Sequence, residues 1–278
     1  PCTTELADGI ETAWLWSIQP RRFIMAGTHF KGPILFSAQR AALENLNTGM
    51  WPDQVYYMDD FYAGALDETH KWTIIKDSGA TVAVLADTVN GEVELRSAAG
   101  VDNDGGSIQG KHEFLALPTT AGDKLYFETR LKTVGATSTD IFVGLGEVFI
   151  TNPENIFNTN NQIAFILTEG TGGVITGRTK SGGTTTTVTL SPTADVTLAD
   201  DTFITLGFVA TKGTTTDKVE FFVNRKKVGT STTNIPTANM KPQAASISGI
   251  LGGDAMNTKL DYIMAAKDRD VSYPGQPT

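Results

Sequence analysis

The chain predicts an all-β protein of two stacked antiparallel sheets with an extended N-terminal arm, and three observations lead there. Residues 219–231, VEFFVNRKKVGTS, set two strand-forming runs against each other across the polar turn 224–226. Val219, Phe221 and Val223 alternate with Glu220, Phe222 and Asn224, the period-two pattern of a strand with one buried face. From residue 59 to residue 270 that period recurs between clusters of turn formers, with no long helical stripe. This excludes alternating strand and helix units around a parallel sheet.

Residues 1–58 form the arm. Segment 10–18, holding Trp14 and Trp16 and ending before Pro20, predicts one short helix; residues 30–38, FKGPILFSA, predict an apolar strand, and 41–51 a polar loop. Such an arm has apolar islands without a core, so it is expected to lie along the main body or a neighbouring molecule. Met25-Ala26-Gly27 has the look of a translation start, which would make 1–24 an upstream extension.

Residues 59–270 form the body. Leu125, Phe127, Thr129 and Leu131 alternate with Tyr126, Glu128 and Arg130, predicting a half-buried strand. Segments 163–168 and 204–210 are apolar on both faces and predict central strands covered on each side. Further strands are predicted at 81–86, 92–97, 112–117, 141–150, 173–179, 184–190, 246–252 and 259–266. Their separators are Gly, Asn and Asp clusters at 90–91, 102–106, 121–123, 170–173 and 181–183. The threonine run 184–187 predicts a polar edge strand, since β-branched Thr favours extended backbone. Residues 271–278 form a short tail.

Composition narrows the function classes. With 278 residues the chain can bury a substantial core, and a formal charge of -9 excludes nucleic-acid binding as a main task. The nearest basic cluster, 225–227, sits in a hairpin turn. Cys2 is the single cysteine, so no internal disulfide can form. No apolar run approaches the roughly 18–20 residues of a membrane span. The N-terminal segment, interrupted by Glu5, Asp8 and Glu11, lacks the apolar middle of a signal peptide. A soluble, non-secreted protein is expected.

No catalytic, cofactor or metal site is expected. The pair Glu92 and Glu94 has strand spacing, but no third acid or aromatic platform accompanies it. His29, His70 and His112 are far apart and lack metal-ligand spacing. Asp102 and Asp104, with Glu113 downstream, partly match a calcium loop, yet Ser107 stands where the sharp-turn glycine is needed; an Asx turn accounts for them. No Gly-x-Ser-x-Gly elbow and no phosphate loop is present. Tyr56, Tyr57, Tyr62 and Trp72 cluster near the start of the body, as sugar-stacking platforms or as anchors for the arm, with Trp72 expected in the core.

Segment 59–76, DDFYAGALDETHKWTIIK, the 219–231 hairpin and the closing strand 259–267, KLDYIMAAK, follow the order of a concanavalin A-like, laminin G-like jelly-roll sandwich. The chain resembles that fold family over about residues 59–270. The resemblance implies a final strand running beside the first. Such folds host lectins, glycosidases, adhesion modules and capsid decoration alike. Residues 30–38 ahead of an all-β body also resemble the N-terminal region of structural proteins of tailed bacteriophages.

Together these resemblances imply a non-enzymatic virion protein, a capsid decoration or stabilising protein assembled in the bacterial host cytoplasm. Its expected partners are the major capsid protein or other virion proteins and further copies of itself, as a homo-oligomer such as a trimer at a lattice axis. The alternative is a carbohydrate-binding module or adhesin on a phage tail or fibre, with a surface glycan as partner. A divergent glycoside hydrolase using Glu92 and Glu94 is the third reading.

Overall fold

Alternating side chains build the fold directly. The computed structural model describes residues 54–85, 91–147, 152–249 and 256–269. Its strands are β1 (Gln54–Asp59), β2 (Trp72–Lys76), β3 (Thr81–Val84), β4 (Val93–Arg96), β5 (Gly105–Gly110), β6 (Lys124–Val134), β7 (Thr139–Gly146), β8 (Gln162–Leu167), β9 (Ile175–Ser181), β10 (Thr184–Val188), β11 (Ile204–Thr211), β12 (Lys218–Val223), β13 (Lys226–Ser231), β14 (Lys241–Ser248) and β15 (Asn257–Asp268). One sheet has the order β13-β12-β11-β6-β15-β4-β3, with β1 also paired to β15; the other has the order β10-β9-β8-β7-β14-β5-β2. Every pairing is antiparallel. The expected two-sheet sandwich is therefore the observed architecture, with the last strand beside the first.

The core lies between the sheets. Phe127 of β6 stacks on Phe208 of β11 at 5.2 Å, Phe208 meets Phe221 of β12 at 6.2 Å, and Phe221 stands edge-on to Phe165 of β8 at 5.3 Å. This column of rings ties three strands of one sheet to the other. Room for it comes from Gly177 of β9, where a β-carbon would sit 3.0 Å from the Phe221 ring. At the tip of the β12–β13 hairpin only Asn224 and Arg225 form the loop, with φ of 46° and 69°. Two left-handed residues make the tight turn whose twist matches the flanking strands, so Lys226, expected in the turn, already belongs to β13.

Four sequence expectations shift. Strand β1 crosses the expected boundary after residue 58, because residues 54–58 pair with β15 instead of standing apart as an arm. Strand β5 begins inside the expected turn 102–106, at Gly105: Gly106 is buried, and a β-carbon there would come within 2.5 Å of Val82 Cγ2 across the core. Glycine here marks close approach of layers rather than a bend. The strand expected at 112–117 reduces to a single bridge, Leu115 with Met240, and the one expected at 246–252 begins earlier, at Lys241. The expected helix at 10–18 and strand at 30–38 lie outside the described residues.

The outer face of the β15 sheet buries two acids, Glu128 and Asp261. Glu128 is 3% exposed; its Oε1 accepts a 2.7 Å hydrogen bond from the Tyr262 hydroxyl, and its Oε2 has no partner among the described residues. Burial pushes its carboxyl above the ordinary glutamate value, opposed by the Tyr262 hydrogen bond and the charge of Arg225. Next to it, a register shift between Leu260 and Tyr262 bulges β15 at Asp261, which Arg130 reaches at 2.7 Å.

Two outcomes test this account. Between the ordinary glutamate value and the raised one of Glu128, the folded chain binds more protons than the unfolded chain, so stability falls as pH rises through that window. Glu128→Gln should flatten the fall in urea melts run from the ordinary glutamate range upward; parallel profiles for both proteins would refute it. A chain starting at Gln54 should melt higher than one starting at Asp59, because the second loses β1 and the edge-on contact of Tyr57 with Trp72 at 5.5 Å. Equal melting temperatures would contradict this.

Candidate functional site

A hydrolytic cleft on this fold needs two carboxylates on one strand, two or four residues apart, so that both project to the same side. Among the fifteen described strands, none carries such a pair. Glu94 lies on β4, in register with Ala83 and Lys259, while Glu92 precedes the strand. Across the outer face of the other sheet, the central strand β7 offers Asp140, Phe142, Gly144 and Gly146.

That face is occupied by the chain itself. The 3-10 turn Pro153–Asn158 lies over it, with Ile156 buried among Phe142, Ala164, Ile166 and Ala245, and Phe157 edge-on to Phe142 at 6.0 Å. Three side chains rising from β8 and β9 hold three successive carbonyls of the turn. Gln162 Nε2 donates to Ile156 O at 2.6 Å, Arg178 Nη1 to Phe157 O at 3.2 Å and Lys180 Nζ to Asn158 O at 3.2 Å. Burial lowers the proton affinity of the Arg178 guanidinium and the Lys180 ammonium, and for Lys180 the charge of Arg178 adds to it. Polar residues that would otherwise line a groove here are committed to the backbone.

The former calcium candidates are pulled apart. Asp104 accepts from Ala98 N at 2.6 Å and is buried, Asn103 takes the left-handed conformation of an Asx-rich turn at φ 58°, and Glu113 follows the far end of β5. Six strand residues separate the two ends by roughly 20 Å. Among the described residues no group of three or more His, Cys, Asp or Glu could hold a metal ion. His29 and Cys2 lie outside the described residues.

An open groove of about 410 Å³ forms instead at the margin where the edge strands β1 and β2 approach each other. Tyr56, Tyr57, Met58 and Phe114 give it an apolar wall, and His70, Lys71, Lys111 and His112 give it a basic rim. Tyr56 is 51% exposed, its hydroxyl directed to the sulfurs of Met58 and Met264 at 2.8 Å and 3.2 Å. Tyr57 packs on Trp72 and Phe114, and its hydroxyl is buried without a partner among the described residues. Burial, with Asp59 and Asp67 nearby, raises the Tyr57 hydroxyl well above the ordinary phenol value, so it stays a donor.

Of the four aromatic residues singled out in the sequence, the groove takes Tyr56 and Tyr57. Trp72 is fully buried, donating its indole N–H to Asp59 Oδ2 at 2.8 Å, as expected of a core residue. Tyr62, 73% exposed, does not line the groove. Lys71, Lys111 and Phe114 carry no signal of a site in the sequence; they meet only because β2 pairs with β5. A second, polar groove of about 480 Å³ lies on the outer face of the β15 sheet, between Arg130, Thr205, Asn224, Arg225, Asp261 and Tyr262.

Neither family models nor curated proteins match the chain in sequence. Solved structures match in shape. An endo-1,3-β-glucanase from Streptomyces sioyaensis aligns over 80% of this chain and 99% of its own, with TM-score 0.53 and 15% identity. A GH16 protein of the Bacteroides ovatus mixed-linkage glucan locus, solved with its G4G4G3G product, covers 75% and 99%, with TM-score 0.52 and 13% identity. The carbohydrate recognition domain of Emp47p covers 77% and 95%, with TM-score 0.51 and 12% identity. Likeness at such identity speaks to the fold, not to chemistry. The chain is an all-β, two-sheet antiparallel sandwich of the concanavalin A-like kind, the jelly roll shared by these glucanases and this recognition domain.

Proposed function

We propose that this protein is a non-catalytic carbohydrate-binding module whose saccharide lies in the groove walled by Tyr56, Tyr57, Met58 and Phe114. The observation that carries this reading is a half-exposed tyrosine beside an apolar wall and a rim of hydrogen-bonding side chains, the combination that stacks on a sugar ring and satisfies its hydroxyls. Two further observations support it: the fold is shared with glucan-processing and carbohydrate-recognising proteins, and the described strands lack paired acids while turn 153–158 covers part of one sheet face. The virion reading has the resemblance of residues 30–38 behind it; those residues lie outside the described part, and none of the proteins compared above is a virion protein.

Binding of the whole chain to a panel of oligosaccharides tests the proposal. Tyr56→Ala should weaken the best ligand about tenfold, or ~1.4 kcal/mol, while Tyr62→Ala leaves it unchanged. Affinity for no saccharide would defeat the reading, and equal losses in both variants would misplace the groove. Release of reducing ends from a bound polysaccharide, lost in Glu92→Gln or Glu94→Gln, would restore the hydrolase reading.

A further inference from the structure

The groove's charge runs against that of the chain. Overall the protein is at -9, yet His70, Lys71, Lys111 and His112 line this groove and, among the described residues, no carboxylate does. Their placement is set by backbone pairing. Trp72 is in register with Gly110, and the ladder continues one step further through a 2.8 Å bond from Lys111 N to Lys71 O. Lys71 therefore stands beside Lys111. Like charges facing each other across a strand pair destabilise it unless something neutralises them.

The neighbouring acids reach Lys71 and His70 but not Lys111. Asp59 accepts from Phe61 N at 2.9 Å and from the Trp72 indole at 2.8 Å, with Lys71 Nζ at 3.4 Å as a further contact. Asp67 accepts from the backbone of Thr69 and His70 at 3.0 Å and 2.9 Å, and its ion pair with His70 is long, at 3.4 Å. Asp60 accepts from Tyr62 N at 3.4 Å, and Glu113 lies 3.9 Å from Lys241. Lys111 makes no ion pair among the described residues. Apolar walls beside these cations lower the local dielectric and strengthen their pull on an anion.

We infer that the groove selects a saccharide bearing acidic groups, carboxylate or sulfate, with Lys71 and Lys111 as its anion-reading residues. This rests on the glycan reading above and adds the ligand's charge to it. The sugar ring would lie against Tyr56 while its acidic substituent sits between the two lysines. A nucleic acid is the competing polyanion, disfavoured by the charge of the remaining surface.

Calorimetric titration of the whole protein with an oligogalacturonate, a sulfated chondroitin fragment, a neutral cello-oligosaccharide of equal length and a short oligothymidylate separates the cases. One of the acidic saccharides should bind at least about tenfold tighter than the neutral one at low salt, with the advantage shrinking as salt rises. Lys71→Gln with Lys111→Gln should abolish that advantage, whereas Lys226→Gln with Lys227→Gln, on a distant hairpin, should not. Without ligand, Lys111→Gln alone should melt no lower than the parent, since it removes the repulsion and leaves the Lys71–Asp59 contact in place. Equal or tighter neutral binding overturns the charge selectivity and leaves the glycan reading standing. Failure of every saccharide sinks both. Oligothymidylate binding through the same lysines, as tight as the acidic sugar, would reduce the groove to an unselective polyanion surface.

Discussion

Strand β15 carries a constraint on which the rest of the structure depends: it must satisfy backbone partners along both edges over twelve residues. One edge goes wholly to β6; the other is divided, with β4 on residues 257–260 and β1 on residues 263–268. Neither β1 nor β4 is long enough to fill that edge alone. Because the edge is shared, β1 ends as the margin of its sheet, close to β2 at the margin of the other, and the aromatic groove is the gap between them. The bulge at Asp261 marks where β15 passes from one partner to the other.

The opposite margin is closed by hydroxyl groups. Thr179 of β9 and Ser231 of β13 share a 3.0 Å hydrogen bond across the sheets, Thr186 of β10 meets Thr233 at 3.0 Å, and Asn234 Nδ2 donates to Thr186 at 2.8 Å. The threonine-rich run thus does two things. Its extended backbone suits an edge strand, and its side chains stitch that edge to the neighbouring sheet where a core residue would be half wet.

Strand β6 buries Tyr126 and Glu128 on the side its alternation marks as wet, but the alternation of β12 and the two covered faces of β11 were legible in the sequence. So was the fate of Trp72. What stayed hidden depends on pairs distant in the chain. Gly105 and Gly106 have the local signature of a turn, and only the approach of Val82 and of β14 explains glycines inside a strand. With β5 unread, the juxtaposition of Lys71 and Lys111 had no basis, although both residues flank recognisable segments. In the same way, Gln162, Arg178 and Lys180 look like polar surface until the 3-10 turn covers them.

That covering turn bears on how such a chain could change. Acquiring two well-spaced acids on β7 would not by itself make an open cleft, because Ile156 and Phe157 pack over Phe142 on the outer face of that strand. Removing the turn would cost Gln162, Arg178 and Lys180 their carbonyl partners and expose Phe142, Ala164, Ile166 and Ala245 to water. The three-pronged grip therefore ties the cover on this sheet to the stability of the fold, whereas the aromatic groove lies at a margin that takes no part in it.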